Sequence, residues 1–230
     1  MELLNVLRAQ SVWLFDTHDL NPRGKSFLPE MLEWLKDRYE FQTAPISVAD
    51  LDDSKGLAFK LGSFPLGGDT LVVEITLYND GVIANTFSST TATDLFLKDV
   101  FSQAAIEFDL KDVVDEIVRV KSYLSELTVR IKPVFPKLNP KLTALASRLS
   151  TTQGMTFEPG GISFWPDTSA TALKPSAFSI ERKLHAPFAE NRFYSRAPLH
   201  TDQHLEFLKE FEEAFDEKPS PVAWGTPTQR

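Results

Sequence analysis

The feature that most constrains this fold is an order of elements that occurs twice. Apolar periodicity and turn residues give β-α-β-β-β-α over residues 1–108 and the same order over 122–216. In the first half, "SVWLF" (11–15) is a buried strand. Leu28, Met31, Leu32, Leu35 and Tyr39 set a helix over 26–40. Strands follow at 57–64, 70–78 and 82–87, the last two joined through Asn79-Asp80-Gly81, a tight-turn sequence that tolerates positive φ. A helix over 93–107 closes this half. The second half gives a strand at 122–132, and a helix at 140–150 carrying Leu142, Leu145 and Leu149 in line with Leu138. A hairpin follows with Pro159-Gly160-Gly161 at its tip, then strands at 177–184 and 191–196 and a helix over 201–216. The two closing helices share a segment: Phe96-Leu97-Lys98-Asp99 matches Phe207-Leu208-Lys209-Glu210.

The resulting expectation is an α+β chain of two pseudo-repeated β-α-β-β-β-α halves, with antiparallel sheets packed into one compact bilobal body. The first repeat is 1–108, a connecting segment is 109–121, the second repeat is 122–216, and 217–230 is a flexible Pro/Ser/Thr-rich tail. A sheet covered by helices on one face leaves the other bare. Val72, beside Glu74 and Thr76, then points to burial of one half against the other. In element order alone, the αβββα arrangement resembles the secretion-chaperone-like folds, which bind extended segments of partner proteins. That resemblance implies partner binding and assigns no residues.

Composition narrows the function. There is no cysteine, which excludes a disulfide scaffold, a Cys-ligated zinc and a thiol nucleophile. The net charge of −8 disfavours nucleic acid, whose phosphates require a concentrated Lys/Arg surface. No apolar run approaches the length of a membrane span, and the N-terminus lacks the basic start of a signal peptide, so a cytoplasmic location is expected.

Three function classes follow. A non-enzymatic protein-binding module (assembly factor, chaperone-like, or immunity/inhibitor-type) is favoured, because no catalytic constellation is present and no cofactor is expected. Its partner is another protein, basic or extended, with oligomeric state open. Trp224 in the tail, and Phe135 and Pro136 in the Pro-punctuated stretch 132–141, are its candidate contacts. The alternative is a metal-dependent hydrolase with Asp16 and His18 as ligands, joined by Asp19 or Asp69. A third class is small-ligand binding in a cleft lined by Trp13, Trp34 or Trp165.

Overall fold

The computed structural model describes residues 1–20, 28–45, 56–110, 117–132, 135–169 and 174–215; the side chains of 17, 18, 28, 136 and 137 lie outside that description. The elements are β1 (Glu2–Leu14), α1 (Thr17–Leu20), α2 (Leu28–Arg38), β2 (Leu57–Leu66), β3 (Asp69–Tyr78), β4 (Gly81–Thr86) and α3 (Thr90–Phe108). They continue with β5 (Val120–Arg130), α4 (Phe135–Leu138), α5 (Pro140–Gln153), β6 (Gly161–Phe164), β7 (Phe178–Arg182), β8 (Arg192–Ala197) and α6 (Thr201–Glu213). The fold is α+β, as expected, but the strands form one antiparallel sheet of eight in the order β2-β3-β4-β1-β5-β8-β7-β6.

The seam is the pair β1–β5, running from Glu2↔Arg130 to Leu14↔Val120. β1 also pairs with β4, so both its edges are hydrogen-bonded. The two groups of strands therefore join edge to edge, and their faces do not close on each other. This corrects the expectation of two packed sheets. Val72, expected to be sealed by the other half, is 44% exposed. β1 also begins nine residues earlier than "SVWLF". Register shifts between Leu3 and Asn5 and between Val6 and Arg8 break the two-residue alternation that would have betrayed it.

Helices α2, α3 and α6 sit over one face. Alternate residues Ala9, Ser11 and Trp13 point to it and are fully buried. Trp13 Nε1 donates to Asp94 of α3 at 3.1 Å and its ring stacks on Phe101 at 6.0 Å. Leu35 and Tyr39 close the layer, with the Tyr39 ring edge-on to Phe96 at 5.1 Å. On the opposite face, Arg8 Nε and Gln10 Nε2 share Asn85 Oδ1 at 3.1 and 3.0 Å, and Arg196 faces Glu126 at 3.6 Å.

Turn chemistry fixes the register. Gly81 has φ +156°, and a Cβ there would meet the Trp13 carbonyl at 2.3 Å, so the Asn-Asp-Gly turn admits no larger residue at its third position. The Pro159-Gly160-Gly161 hairpin does not form. Gly161 instead opens β6, where its missing side chain lets the Ile180 carbonyl approach.

The N-termini of α3 and α6 meet above the seam and cap each other. The Thr90 N–H donates to Thr201 Oγ1 at 3.0 Å, and the Thr201 N–H donates to Thr90 Oγ1 at 2.9 Å. Both residues are buried. Thr201→Val keeps the shape but leaves the Thr90 N–H without that acceptor. It is expected to cost about 1–3 kcal/mol of unfolding free energy in urea denaturation. Combining it with Thr90→Val should cost less than the sum of the two, because the threonines form one unit.

Candidate functional site

Helix α5 is specified by its own ends. Asn139 Oδ1 accepts the Lys141 N–H at 2.9 Å, Pro140 occupies the first helical turn, and Gly154 ends the helix at φ +67° with its N–H on the Ser150 carbonyl at 2.9 Å. Its hydroxyls turn back onto the helix: Ser147, Ser150, Thr151 and Thr152 each donate to the carbonyl four residues earlier. The helix thus forms on local signals, with little anchoring in the fold.

The consequence is an apolar stripe that the described residues leave half-exposed. Leu142, Leu145 and Leu149 are 51%, 55% and 51% exposed, and Ala146 is the buried residue of α5. Of the leucines aligned on this helix face in the sequence, only Leu138, in α4, packs against the second core. The contrast with α2 is direct, since Leu35 of α2 is 4% exposed and belongs to the first core.

The uncovered surface continues past the helix. The Phe157 N–H donates to Ser150 Oγ at 2.8 Å, which ties the chain leaving α5 back to it. Glu158 pairs with Arg182 of β7, whose guanidinium also lies over Phe188 at 4.5 Å, and this anchors the entry to β6. β6 is the terminal strand of the sheet. An open cavity of about 430 Å³ lies along it, lined by Gly160–Ser163, Glu181 and Arg182. Phe164 stacks on Phe178 at 5.6 Å yet remains half-exposed, and Trp165 is 83% exposed. Beyond it, hydrogen bonds from the Ser169 hydroxyl and N–H hold the Asp167 carboxyl below its ordinary pKa. Seven of the fifteen exposed large apolar residues described fall within 142–165, which makes this stretch the main concentration of unsatisfied apolar surface.

Its charge is distinctive too. Residues 131–180 carry five Lys/Arg (Lys132, Lys137, Lys141, Arg148, Lys174) against two Asp/Glu (Glu158, Asp167), in a chain of net charge −8. α5 itself has no acidic residue. This composition was the available sequence signal for the site; the leucine spacing alone reads as a core-facing helix.

The residues singled out from sequence are placed elsewhere or differently. Phe135 is 1% exposed, in α4, with its ring 5.1 Å from Phe193 and 6.1 Å from Phe211. It is a core residue and no docking contact, because the chain folds into a helical turn there and turns the ring inward. Pro136 lies in the same turn, its side chain outside the described residues, as is all of Trp224. Asp16 stands two residues past the end of β1, where its carbonyl accepts the Asp19 N–H at 2.9 Å, and Asp19 faces Arg119 at 3.3 Å. The His18 side chain is outside the described residues. Asp69 opens β3 at the end remote from Asp16, roughly 30 Å away at the rise of a strand. Among the described residues no group of three His, Asp or Glu side chains could hold a metal ion. The three tryptophans share no cleft: Trp13 is core, Trp34 packs edge-on to Phe108, and Trp165 is at the surface. His200 and His204, four residues apart at the start of α6, have different surroundings. His200 lies on the Tyr123 ring at 3.6 Å, while His204 is inside the second core. No helix among the described residues is long and apolar enough to cross a membrane.

No protein-family model matches the chain, and no curated protein matches it. Among solved structures, the Methanococcus jannaschii TBP is similar, with a TM-score of 0.44 and 12% identity, over 94% of this chain and 98% of that one. That likeness assigns neither an activity nor a ligand to this chain.

Proposed function

We propose that this protein is a non-enzymatic protein-binding module, of the assembly-factor, chaperone-like or immunity/inhibitor kind, that takes its partner on α5 and the adjoining β6 edge. The observation that carries the reading is the exposed Leu142-Leu145-Leu149 stripe on a helix that forms without burying it. An isolated helix of this length is marginal in water, so a partner that covered the stripe would stabilise it further. Burying one such leucine is worth roughly 1.5–3 kcal/mol.

We further read 1–108 and 122–216 as two copies of one unit, joined by 109–121 and followed by the tail 217–230. Outward from the seam the strands run β1-β4-β3-β2 on one side and β5-β8-β7-β6 on the other, which supports this reading. So does the reciprocal Thr90–Thr201 capping. On that reading α2 and α5 are counterparts, one sealed and the other open, and the open one is where a partner belongs.

Leu145→Asp is expected to leave the unfolding free energy within about 0.5 kcal/mol of wild type, as for a surface position, whereas Leu35→Ala costs about 2–5 kcal/mol. In native extract, immobilised wild-type protein should retain a partner that the Leu145→Asp protein loses. Identical retention by both would remove the assignment of the site.

A further inference from the structure

We propose that the partner segment is an acidic amphipathic helix, with its carboxylates along one edge of its apolar stripe. The inference rests on the binding site proposed above and adds the chemistry of the occupant.

At 100° per residue, Leu142, Leu145 and Leu149 span about 60° of the α5 surface. Lys141 and Arg148 lie together on one side of that stripe, seven residues apart and hence nearly in line along the axis. On the other side lies Ala146, the buried residue by which α5 meets the protein. The open stripe is therefore bounded by protein on one flank and by two cations on the other. A helix laid along it, with leucine-like residues at i, i+3 and i+7, fills the stripe. Acidic groups on its outer edge then face Lys141 and Arg148.

Charge separates this occupant from the alternatives. Outside 131–180 the chain holds nineteen Lys/Arg against thirty Asp/Glu, so a long polyanion or an anionic bilayer is repelled by the rest of the surface. A short acidic segment meets only the local cations, within a Debye length of about 8–10 Å. A second copy laid antiparallel on the same stripe would bring Lys141 and Arg148 against cations of their own kind, and one laid parallel would bring them against the flank by which α5 meets its own protein.

The test uses the full chain and a fluorescein-labelled 18-residue Leu/Glu amphipathic peptide, with a control in which every Glu is Lys. Anisotropy at low salt should show the acidic peptide binding at least about tenfold tighter than the basic one, with the preference shrinking as salt rises. Lys141→Glu/Arg148→Glu should reverse the preference, and Leu145→Asp should abolish binding of both. Equal affinity for the two peptides, or no affinity for either, overturns the inference. If neither peptide binds while a photo-crosslinker at position 145 still captures a protein from native extract, the binding surface stands and this chemistry falls. If Leu145→Asp leaves that capture unchanged, the surface falls too. Three other results also overturn the inference, each naming a different occupant. They are a dimer split by Leu145→Asp, phosphatidylserine vesicles bound through Leu145, and peptide affinity gained on deleting the tail 217–230.

Discussion

Phe135→Ala is expected to lower the unfolding free energy by about 3–5 kcal/mol, the range for emptying a buried phenylalanine site. The ring is 1% exposed and sits against Phe193 of β8 and Phe211 of α6, with Leu127, Val129 and Ile131 in the same core. α4 is a single turn held chiefly by this insertion, with Leu138 partly buried beside it, so the loss should propagate into the start of α5, which follows within two residues. Urea denaturation of Phe135→Ala beside Trp165→Ala separates the readings of these two aromatics. The Trp165 ring is 83% exposed, and its removal should change stability by no more than about 0.5 kcal/mol. A Phe135→Ala protein as stable as wild type would return the residue to the role of exposed docking contact that its Pro-rich neighbourhood suggests.

The same contrast shows which parts of this architecture are written locally. The meander β2-β3-β4 is legible because alternation is unbroken in Leu71, Val73, Ile75 and Leu77 and because Gly67-Gly68 and the Gly81 of Asn79-Asp80-Gly81 supply positive φ where the chain reverses. The ends of α5 are legible because Asn139, Pro140 and Gly154 act within a few residues of themselves. What fails is whatever depends on pairing between distant segments. β1 hides behind two register shifts, and nothing in its sequence says that its second edge takes β5. The single sheet follows from that one pairing, and so does the bareness of Val72. The direction in which α5 faces is of the same kind. A leucine stripe says that a helix has an apolar side, and only the fold reveals that the described residues leave that side half-exposed. The charge bias of 131–180 was visible from the start, but it acquires meaning only once Leu145 is seen at the surface.

Acidification from pH 7 to pH 4 is expected to remove roughly 3 kcal/mol of stability through His204 alone. The residue is fully buried on α6, and burial pushes its pKa down to about 4 from 6.5. The geometry gives the tautomer. Ser195 Oγ donates to the Ser179 carbonyl at 3.0 Å, so its contact with His204 Nε2 at 2.8 Å must be one in which the ring nitrogen donates. Nδ1 is then the basic nitrogen, buried and without a hydrogen-bond partner, with the Phe178 ring edge-on at 6.1 Å. A proton placed there has no acceptor and no compensating charge on Ser195 or Phe178. The unfolded chain takes up that proton as pH falls through 6.5, and the folded chain resists it until about 4. Between those values the unfolded state binds more protons, so stability rises with pH across the window and levels off above 6.5. Each unit of displacement corresponds to about 1.4 kcal/mol. His204→Leu keeps the ring's apolar contacts and leaves the Ser195 hydroxyl its bond to Ser179. The difference between the two proteins isolates the histidine from the carboxylates, which titrate in both. Wild type should lose stability steeply from pH 6.5 to 4 in chemical denaturation, and His204→Leu should show a slope shallower by that amount. Parallel slopes would mean that the core opens to solvate the imidazolium before the chain unfolds, so that α6 separates from the sheet as a unit of its own.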